Sequence, residues 1–339
     1  MMKKKILMIT TGGTIASKHT EKGFVPEISD SEMLSFVPGV LDFCDVSTLQ
    51  LFNLDSTNVT PKHWEMLSVA IEENYDRYDG FVICHGTDTL AYTASALSYM
   101  VQGSPKPIVI TGAQRPIDVD ITDAKSNLMN SFIYASDPES EDVTIVFDGK
   151  VIVGTRAKKV NAKSYNAFES INFPYLAVIQ DGRVVRYLNI THNRERPQFF
   201  HGMDKKVCVL KLSPGIDGGI LSFALAHYDG VVIESYGVGG IPDYLTEEFY
   251  DLLENNNQDN KIVVMSTQVA NEGSNMTIYE VGKKVKHDFN LMEAFDMTLE
   301  ATITKLMWLI SAKEIDHENP EVLRREFYRK INHDVLITS

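Results

Sequence analysis

Lys5-Ile6-Leu7-Met8-Ile9-Thr10-Thr11-Gly12-Gly13-Thr14-Ile15-Ala16-Ser17 is the stretch against which the rest of the chain is read. Ile6 to Ile9 form a short apolar run of the kind that makes a strand buried on both faces. The run stops at two hydroxyls, two glycines and a third hydroxyl. Glycine has no Cβ, so Gly12-Gly13 can turn sharply and let a ligand approach the backbone. Ligands of open parallel sheets bind beyond the carboxyl ends of the strands, where this turn would deliver Thr14. Three readings fit the segment alone: a plain strand and glycine turn, a dinucleotide-binding turn, or a turn that presents Thr14 as a nucleophile.

The same grammar recurs downstream. Lys18 to Ile28 reads as a loop over the site, and Ser29-Asp30 as offering the N-cap of a short helix through Phe36 that ends near Pro38. Val46 to Phe52 reads as a second strand that runs into Asp55-Ser56-Thr57. Thr60-Pro61 opens a helix whose Trp64, Leu67, Ile71, Tyr75 and Tyr78 recur at core spacing. Gly80 to Cys84 is a third strand, ending in His85-Gly86-Thr87-Asp88-Thr89. A helix over Leu90 to Gln102 follows, then a strand over Pro107 to Thr111 that ends in Gly112-Ala113-Gln114. Asp123 to Ala135 reads as helix and Val143 to Phe147 as strand. Val151 to Phe173 reads as irregular and polar, before strands at Leu176 to Ile179 and Val184 to Leu188.

The polar stretch from Ile190 to Asp204 has no clear period and reads as a linker. Beyond it come strands at Val207 to Leu212, Val231 to Glu234 and Ile262 to Met265. Helices are expected at Gly219 to His227, Leu245 to Asn255, Thr298 to Ile310 and Pro320 to Ile331. Strands alternating with helices across short connections predict an α/β protein with mostly parallel sheets and helices on both faces. Two domains are expected: a larger N-terminal one over 1–189, a linker over 190–206, and a smaller C-terminal one over 207–339.

The 339 residues are 44% hydrophobic and 23% charged, with a net charge of −14. An acidic surface argues against nucleic acid or an anionic membrane as partner, because phosphate binding needs a basic one. Cys44, Cys84 and Cys208 are three in number and widely spaced, which suits a reducing compartment and buried thiols rather than a disulfide framework. No metal-ligand spacing is present, so no metal or cofactor is expected. The apolar run after the N-terminal lysines is too short for a secretory signal, and no stretch approaches the ~18 apolar residues of a membrane span. A cytoplasmic protein is expected.

Thr11-Gly12-Gly13-Thr14-Ile15-Ala16-Ser17 and Asp79-Gly80-Phe81-Val82-Ile83-Cys84-His85-Gly86-Thr87-Asp88-Thr89 together resemble the two signatures of the bacterial L-asparaginase family. Ala91-Tyr92-Thr93-Ala94-Ser95-Ala96-Leu97-Ser98-Tyr99-Met100 and Asp296-Met297-Thr298-Leu299-Glu300-Ala301-Thr302-Ile303-Thr304-Lys305-Leu306 resemble its cytoplasmic, type I branch. The resemblance covers essentially the whole chain, from Lys4 to at least Ile310. It implies hydrolysis of L-asparagine to L-aspartate and ammonia, with Thr14 as nucleophile and Thr87, Asp88 and a lysine supplying proton chemistry. Matching Ala157-Lys158-Lys159-Val160-Asn161 makes that lysine Lys159, with Lys158 as the alternative one register away. The resemblance also implies that Ser56 and Thr57 bind the substrate carboxylate and Asp88 its ammonium. Gly86 would line the substrate site, and main-chain N–H groups near Thr87 and Ala113 would hold the oxyanion. Active sites shared between subunits of a homodimer or homotetramer are implied, with Tyr279 and Glu280 as intersubunit candidates.

The sequence departs from the family pattern in its lid. Many members carry a tyrosine there, whereas Gly23-Phe24-Val25-Pro26 carries Phe24, which closes over a site but cannot relay a proton. Either another group takes over, Lys159 acting through Thr87 or a group such as Tyr279 of a neighbouring subunit, or the site is slow. Four rival readings stand beside the lead. A tRNA-dependent amidotransferase component of the same fold would carry an extra N-terminal domain, and here the first strand starts at about residue 4. A glutaminase-asparaginase would differ only in its pocket. A nicotinamide oxidoreductase would want further glycines and an acid after the second strand. A non-catalytic asparagine sensor would bind without turnover.

Overall fold

A computed structural model of the chain describes residues 3–20, 23–26, 28–189, 196–203, 205–256, 261–278 and 291–336. The chain divides into two compact units, Met1–His201 and Gly202–Ser339.

The first unit is built on a sheet of eight strands. β1 (Lys4–Gly12) is an interior strand of this sheet, next to its edge, and its Ile6, Leu7, Met8 and Ile9 are all buried. An antiparallel hairpin follows, β2 (Ser17–Thr20) and β3 (Gly23–Pro26), where the sequence suggests a loop. Next come α1 (Asp30–Ser35), capped by the Ser29 side chain, and β4 (Cys44–Leu54). Helix α2 (Pro61–Asn74) begins at its N1 proline and buries Trp64, Leu67 and Ile71. Strand β5 (Gly80–Cys84) leads into α3 (Leu90–Met100), whose Ala, Ser and Thr side chains let it bury nearly every position. The expected end of that helix is instead a short strand, β6 (Val101–Gln102).

Strand β7 (Pro107–Thr111), helix α4 (Ala124–Ser136) and strand β8 (Asp142–Phe147) complete the parallel part. The region that reads as irregular holds β9 (Lys150–Val153), β10 (Ala157–Lys159) and β11 (Phe168–Ser170). Strands β12 (Ala177–Gln180) and β13 (Arg183–Arg186) close the sheet edge, and β14 (Gln198–Phe199) pairs with β6. Strands β10 and β11, at three residues each and lying in a polar stretch, carry too little periodicity to show in a sequence.

The sheet order is β13-β12-β9-β8-β7-β5-β1-β4, with β4, β1, β5, β7 and β8 mutually parallel and the rest antiparallel. The chain leaves β1 for β4 on one side and then crosses to β5 on the other. This reversal of direction is a topological switch point, and a crevice opens there beyond the carboxyl ends of the strands. Helix α4 covers one face, where Ile6, Met8, Val82 and Val109 pack with Leu128 and Phe132. Helix α3 covers the other face, against β7 and β8, with α2 packed on it.

Among the described residues, the second unit holds a four-stranded parallel sheet in sequential order. It runs β15 (Val207–Lys211), β16 (Gly230–Ser235), β17 (Ile262–Thr267) and β18 (Met292–Glu293). Helices α5 (Gly219–His227) and α6 (Asp243–Asn256) pack together, and α7 (Leu299–Ser311) lies against β15 and β16. Helix α8 (Pro320–Tyr328), capped by Asn319, packs on α7. Among the described residues, no helix is long and apolar enough to cross a membrane.

Candidate active site

The cleft lies at the switch point, where three strand ends meet. The turn after β1 contributes Gly13 and Thr14 and the start of β2 contributes Ser17, while the loop after β4 contributes Asp55 and Ser56 and the loop after β5 contributes Gly86, Thr87 and Asp88. Two glycines make the convergence possible. Gly13 sits at φ 79°, a backbone region that favours glycine, and a Cβ there would collide with the backbone of Gly86. A Cβ on Gly86 would fall 2.6 Å from Ser56 Oγ. The β1 and β5 ends thus touch backbone to backbone, and Thr14 opens the short helical turn that follows.

Thr14 is partly exposed, and its hydroxyl makes no hydrogen bond to the described residues. Ser17 Oγ closes the turn by donating to Gly13 O at 2.9 Å. Asp55 caps the turn after β4 by accepting from Thr57 N at 3.0 Å. Thr57 itself is exposed outside the cleft, and its main-chain donor is committed to that cap. Ser56 Oγ accepts from Asp88 N at 3.2 Å, which leaves the Ser56 O–H proton to be donated elsewhere. Thr89 ties the same corner by donating to Ser56 O at 2.8 Å.

Lys159 reaches this cleft from β10, which the β11 pairing holds in place. Its Nζ donates to Thr87 Oγ1 at 2.8 Å and to Asp88 Oδ1 at 2.6 Å. Its side chain is about one-fifth exposed, while that of Asp88 is about half exposed, so the pair sits at a boundary between protein and water. With Lys159 donating to it, Thr87 donates its own proton to Gln114 Oε1 at 3.3 Å. Gln114 Nε2 in turn donates to Ser164 O at 3.2 Å and Asn161 O at 3.4 Å.

Ala113 is fully buried, just beyond the end of β7. The carbonyl of the preceding Gly112 is held by Asn127 Nδ2 at 3.0 Å, and Asp123 accepts from Gln114 N and Arg115 N. Burial pushes the Asp123 carboxyl up, against the pull of these N–H donors. Phe24 lies on β3 by its backbone, and its side chain falls outside the described residues, as do Tyr279 and Glu280. Sequence reasoning does not single out Asp55 and Ser17 as site residues, nor Gln114 and His85 behind them. Asp55 is visible as part of a polar strand end, whereas Gln114 becomes relevant only once β10 places Asn161 and Ser164 beside it. Among the described residues, no three His, Cys, Asp or Glu side chains are placed to hold a metal ion.

These features define an α/β protein with a hydroxyl, amine and carboxylate cluster at its switch point. Residues 5–192 match the family model described as Asparaginase, N-terminal, and residues 206–323 that of the Glutaminase/Asparaginase C-terminal domain. The chain belongs to the asparaginase family. It is 38% identical over 330 residues to an L-asparaginase of Thermococcus kodakarensis, covering 96% of this chain and 99% of that protein. The solved structure of the thermostable L-asparaginase from that organism superimposes with a TM-score of 0.90 at 36% identity, covering 98% of this chain and 100% of that one. L-asparaginase 1 of Escherichia coli K12 is 34% identical, over 94% of this chain and 95% of that one. A glutamyl-tRNA(Gln) amidotransferase component of Methanococcus maripaludis is 32% identical, over 98% of this chain and 82% of that one.

Proposed function

We propose that this chain is an L-asparaginase, an amidohydrolase that converts L-asparagine to L-aspartate and ammonia through an acyl ester on Thr14. The observation that carries the reading is Lys159, whose single ammonium spans Thr87 Oγ1 and Asp88 Oδ1 at the cleft. A plain ion pair with Asp88 accounts for only one of those bonds.

A side-chain amide is a poor electrophile with a poor leaving group, so two easier steps replace one hard one. Thr14 Oγ attacks the amide carbon as its proton passes through the Thr87 hydroxyl to Lys159 Nζ, which takes part as the free amine, and the carbonyl electron pair moves onto oxygen. Main-chain N–H groups of Thr87 and Ala113 hold that oxyanion; one such donor contributes about 3 kcal/mol. The C–N bond then breaks, the nitrogen takes that proton back along the same route, and ammonia departs. Water attacks the ester, assisted by Thr87 with Lys159 behind it, releasing aspartate and restoring the Thr14 hydroxyl. Ser56 has a proton to give the substrate α-carboxylate, with the exposed Thr57 hydroxyl beside it, and Asp88 takes the α-ammonium. Gly86 forms the wall between them. Phe24 closes the lid without relaying a proton, which leaves the Thr87–Lys159 pair as the proton route, with Tyr279 of a neighbouring subunit as a second one.

In this reading residues 1–189 carry the nucleophile and most of the site, 190–206 connect, and 207–339 form the second domain. The protein works as a cytoplasmic homodimer or homotetramer, with Tyr279 and Glu280 at the subunit contact. Ammonia release over a broad asparagine titration, with glutamine in parallel, tests the activity. Asparagine turnover is expected, with Thr14→Ala folding normally and losing several orders of magnitude of kcat. Wild-type rates in that variant would remove Thr14 as nucleophile. Equal glutamine turnover would make the enzyme a glutaminase-asparaginase. Saturable asparagine binding without ammonia, in folded wild-type protein, would make it a sensor.

A further inference from the structure

His85 stands at the end of β5, immediately before the cleft, and is fully buried. It does not line the cleft, and the proposed chemistry gives it no proton to move. Its ring nonetheless makes two short hydrogen bonds. Nδ1 lies 2.7 Å from Gly86 O, and Nε2 lies 3.0 Å from Thr93 Oγ1 on α3. Thr93 Oγ1 also lies 3.0 Å from Trp64 Nε1 on α2.

The donors in this chain follow from which groups can only donate. Indole N–H is a donor and never an acceptor, so Thr93 Oγ1 accepts from Trp64. Gly86 O is only an acceptor, so His85 Nδ1 must carry a proton to approach it at 2.7 Å. A neutral imidazole then leaves Nε2 as acceptor, and Thr93 O–H donates to it. The direction is fixed throughout: Trp64 N–H to Thr93, Thr93 O–H to His85 Nε2, and His85 Nδ1–H to the Gly86 carbonyl. Burial pulls the His85 pKa down to about 4, in keeping with a neutral ring.

Gly86 C=O and Thr87 N–H belong to one peptide unit. In a trans peptide these two groups point in opposite directions. The carbonyl is held on the interior side by a buried ring, so the N–H points the other way, toward the cleft that Thr87 lines. Thr87 N–H has no acceptor among the described residues. Gly86 has no side chain to resist rotation of this peptide, and a Cβ there is forbidden by Ser56. The orientation of the N–H therefore has to be imposed from behind.

We propose that His85 is a positioning residue: its Nδ1–H clamps the Gly86 carbonyl, and so holds the Thr87 main-chain N–H aimed at the substrate's developing oxyanion, with Thr93 and Trp64 fixing the ring. The role of that N–H rests on the asparaginase reading, whereas the clamp itself does not. Asn places an amide N–H close to where Nδ1 sits, so His85→Asn keeps the clamp, and His85→Leu keeps bulk while losing it.

Two measurements on the full-length protein separate the alternatives. The first is kcat and KM for asparagine in wild type, H85L and H85N. H85L is expected to lose roughly 10- to 100-fold in kcat, within the range for a weakened oxyanion donor, with KM changed by less than about threefold. H85N is expected to recover most of the loss. The second is amide hydrogen exchange over residues 86–89, which is expected to quicken in H85L and not in H85N. Unchanged exchange in H85L would overturn the clamp. Quickened exchange with wild-type kcat, or equal kcat losses in H85L and H85N, would overturn the positioning role. A folded wild type that releases no ammonia would count against the asparaginase reading and the catalytic half of the proposal, while the exchange measurement would still decide the clamp.

Discussion

At Gly86 a single missing carbon decides whether the cleft exists. The β1 and β5 ends meet there, and Ser56 Oγ occupies the space a Cβ would need. Gly86→Ala should therefore push these strand ends apart, destabilising the fold by about 1–3 kcal/mol as an overpacked site does. The check is a urea melt alongside asparagine turnover, and a stable, fully active variant would show that the contact is slack. His85 makes a second prediction, about pH. Its folded pKa is about 4, against an ordinary 6.5, so the unfolded chain binds the extra proton over that interval. Its contribution to stability is complete above pH ~6.5 and falls away as the pH drops through ~4, by on the order of 3 kcal/mol. Urea midpoints at several pH values should decline more steeply in this range for wild type than for His85→Leu.

Helix α7 shows how an element is locked at its carboxyl-terminal neighbour. Lys305 is wholly buried and meets Asp334, also wholly buried, at 2.5 Å. The ammonium also donates to Arg329 O at 2.8 Å, and Asp334 accepts from Ile331 N at 3.0 Å. Burial pulls the Lys305 pKa down while Asp334 opposes the shift. Removing one partner leaves a buried charge uncompensated, so Lys305→Met should cost about 3–5 kcal/mol. Adding Asp334→Leu to that variant should recover much of the loss, a result read from a double-mutant cycle in denaturant. In the sequence Lys305 stands inside a family motif, with no sign of this partner. The pair is 29 residues apart and forms only when the chain after α8 folds back on α7.

For the whole molecule, the reading of the site has a consequence for assembly. The proposed function places Tyr279 and Glu280 at a subunit contact, so on that proposal the active species should be larger than one 38.1 kDa chain. Light scattering on a column should give two or four chains, and Tyr279→Ala should lower turnover without unfolding the protein. A fully active monomer would sink the shared-site reading. The α/β class, most strands and most helices are legible in the sequence because their apolar runs and caps are local: Pro61 opens α2, Ser29 caps α1, and Asn319 caps α8. Strands β10 and β11 and the β2–β3 hairpin are not, because each is short and defined by its pairing partner rather than its own pattern.

By itself the sequence determined which residues could do chemistry. A strand that ends in hydroxyls and glycines can only present them at its carboxyl end, and this holds for Thr14, Ser56 and Thr87 alike. The two signatures likewise carried the family. Only the tertiary structure decided which of these groups meet. Strand order brings the ends of β1, β4 and β5 to one cleft, and an antiparallel pairing carries Lys159 across 72 residues to Thr87. Buried hydrogen bonds from two helices set the direction of one peptide behind it. Those relations depend on distance in space, and a linear pattern has no register in which to record them.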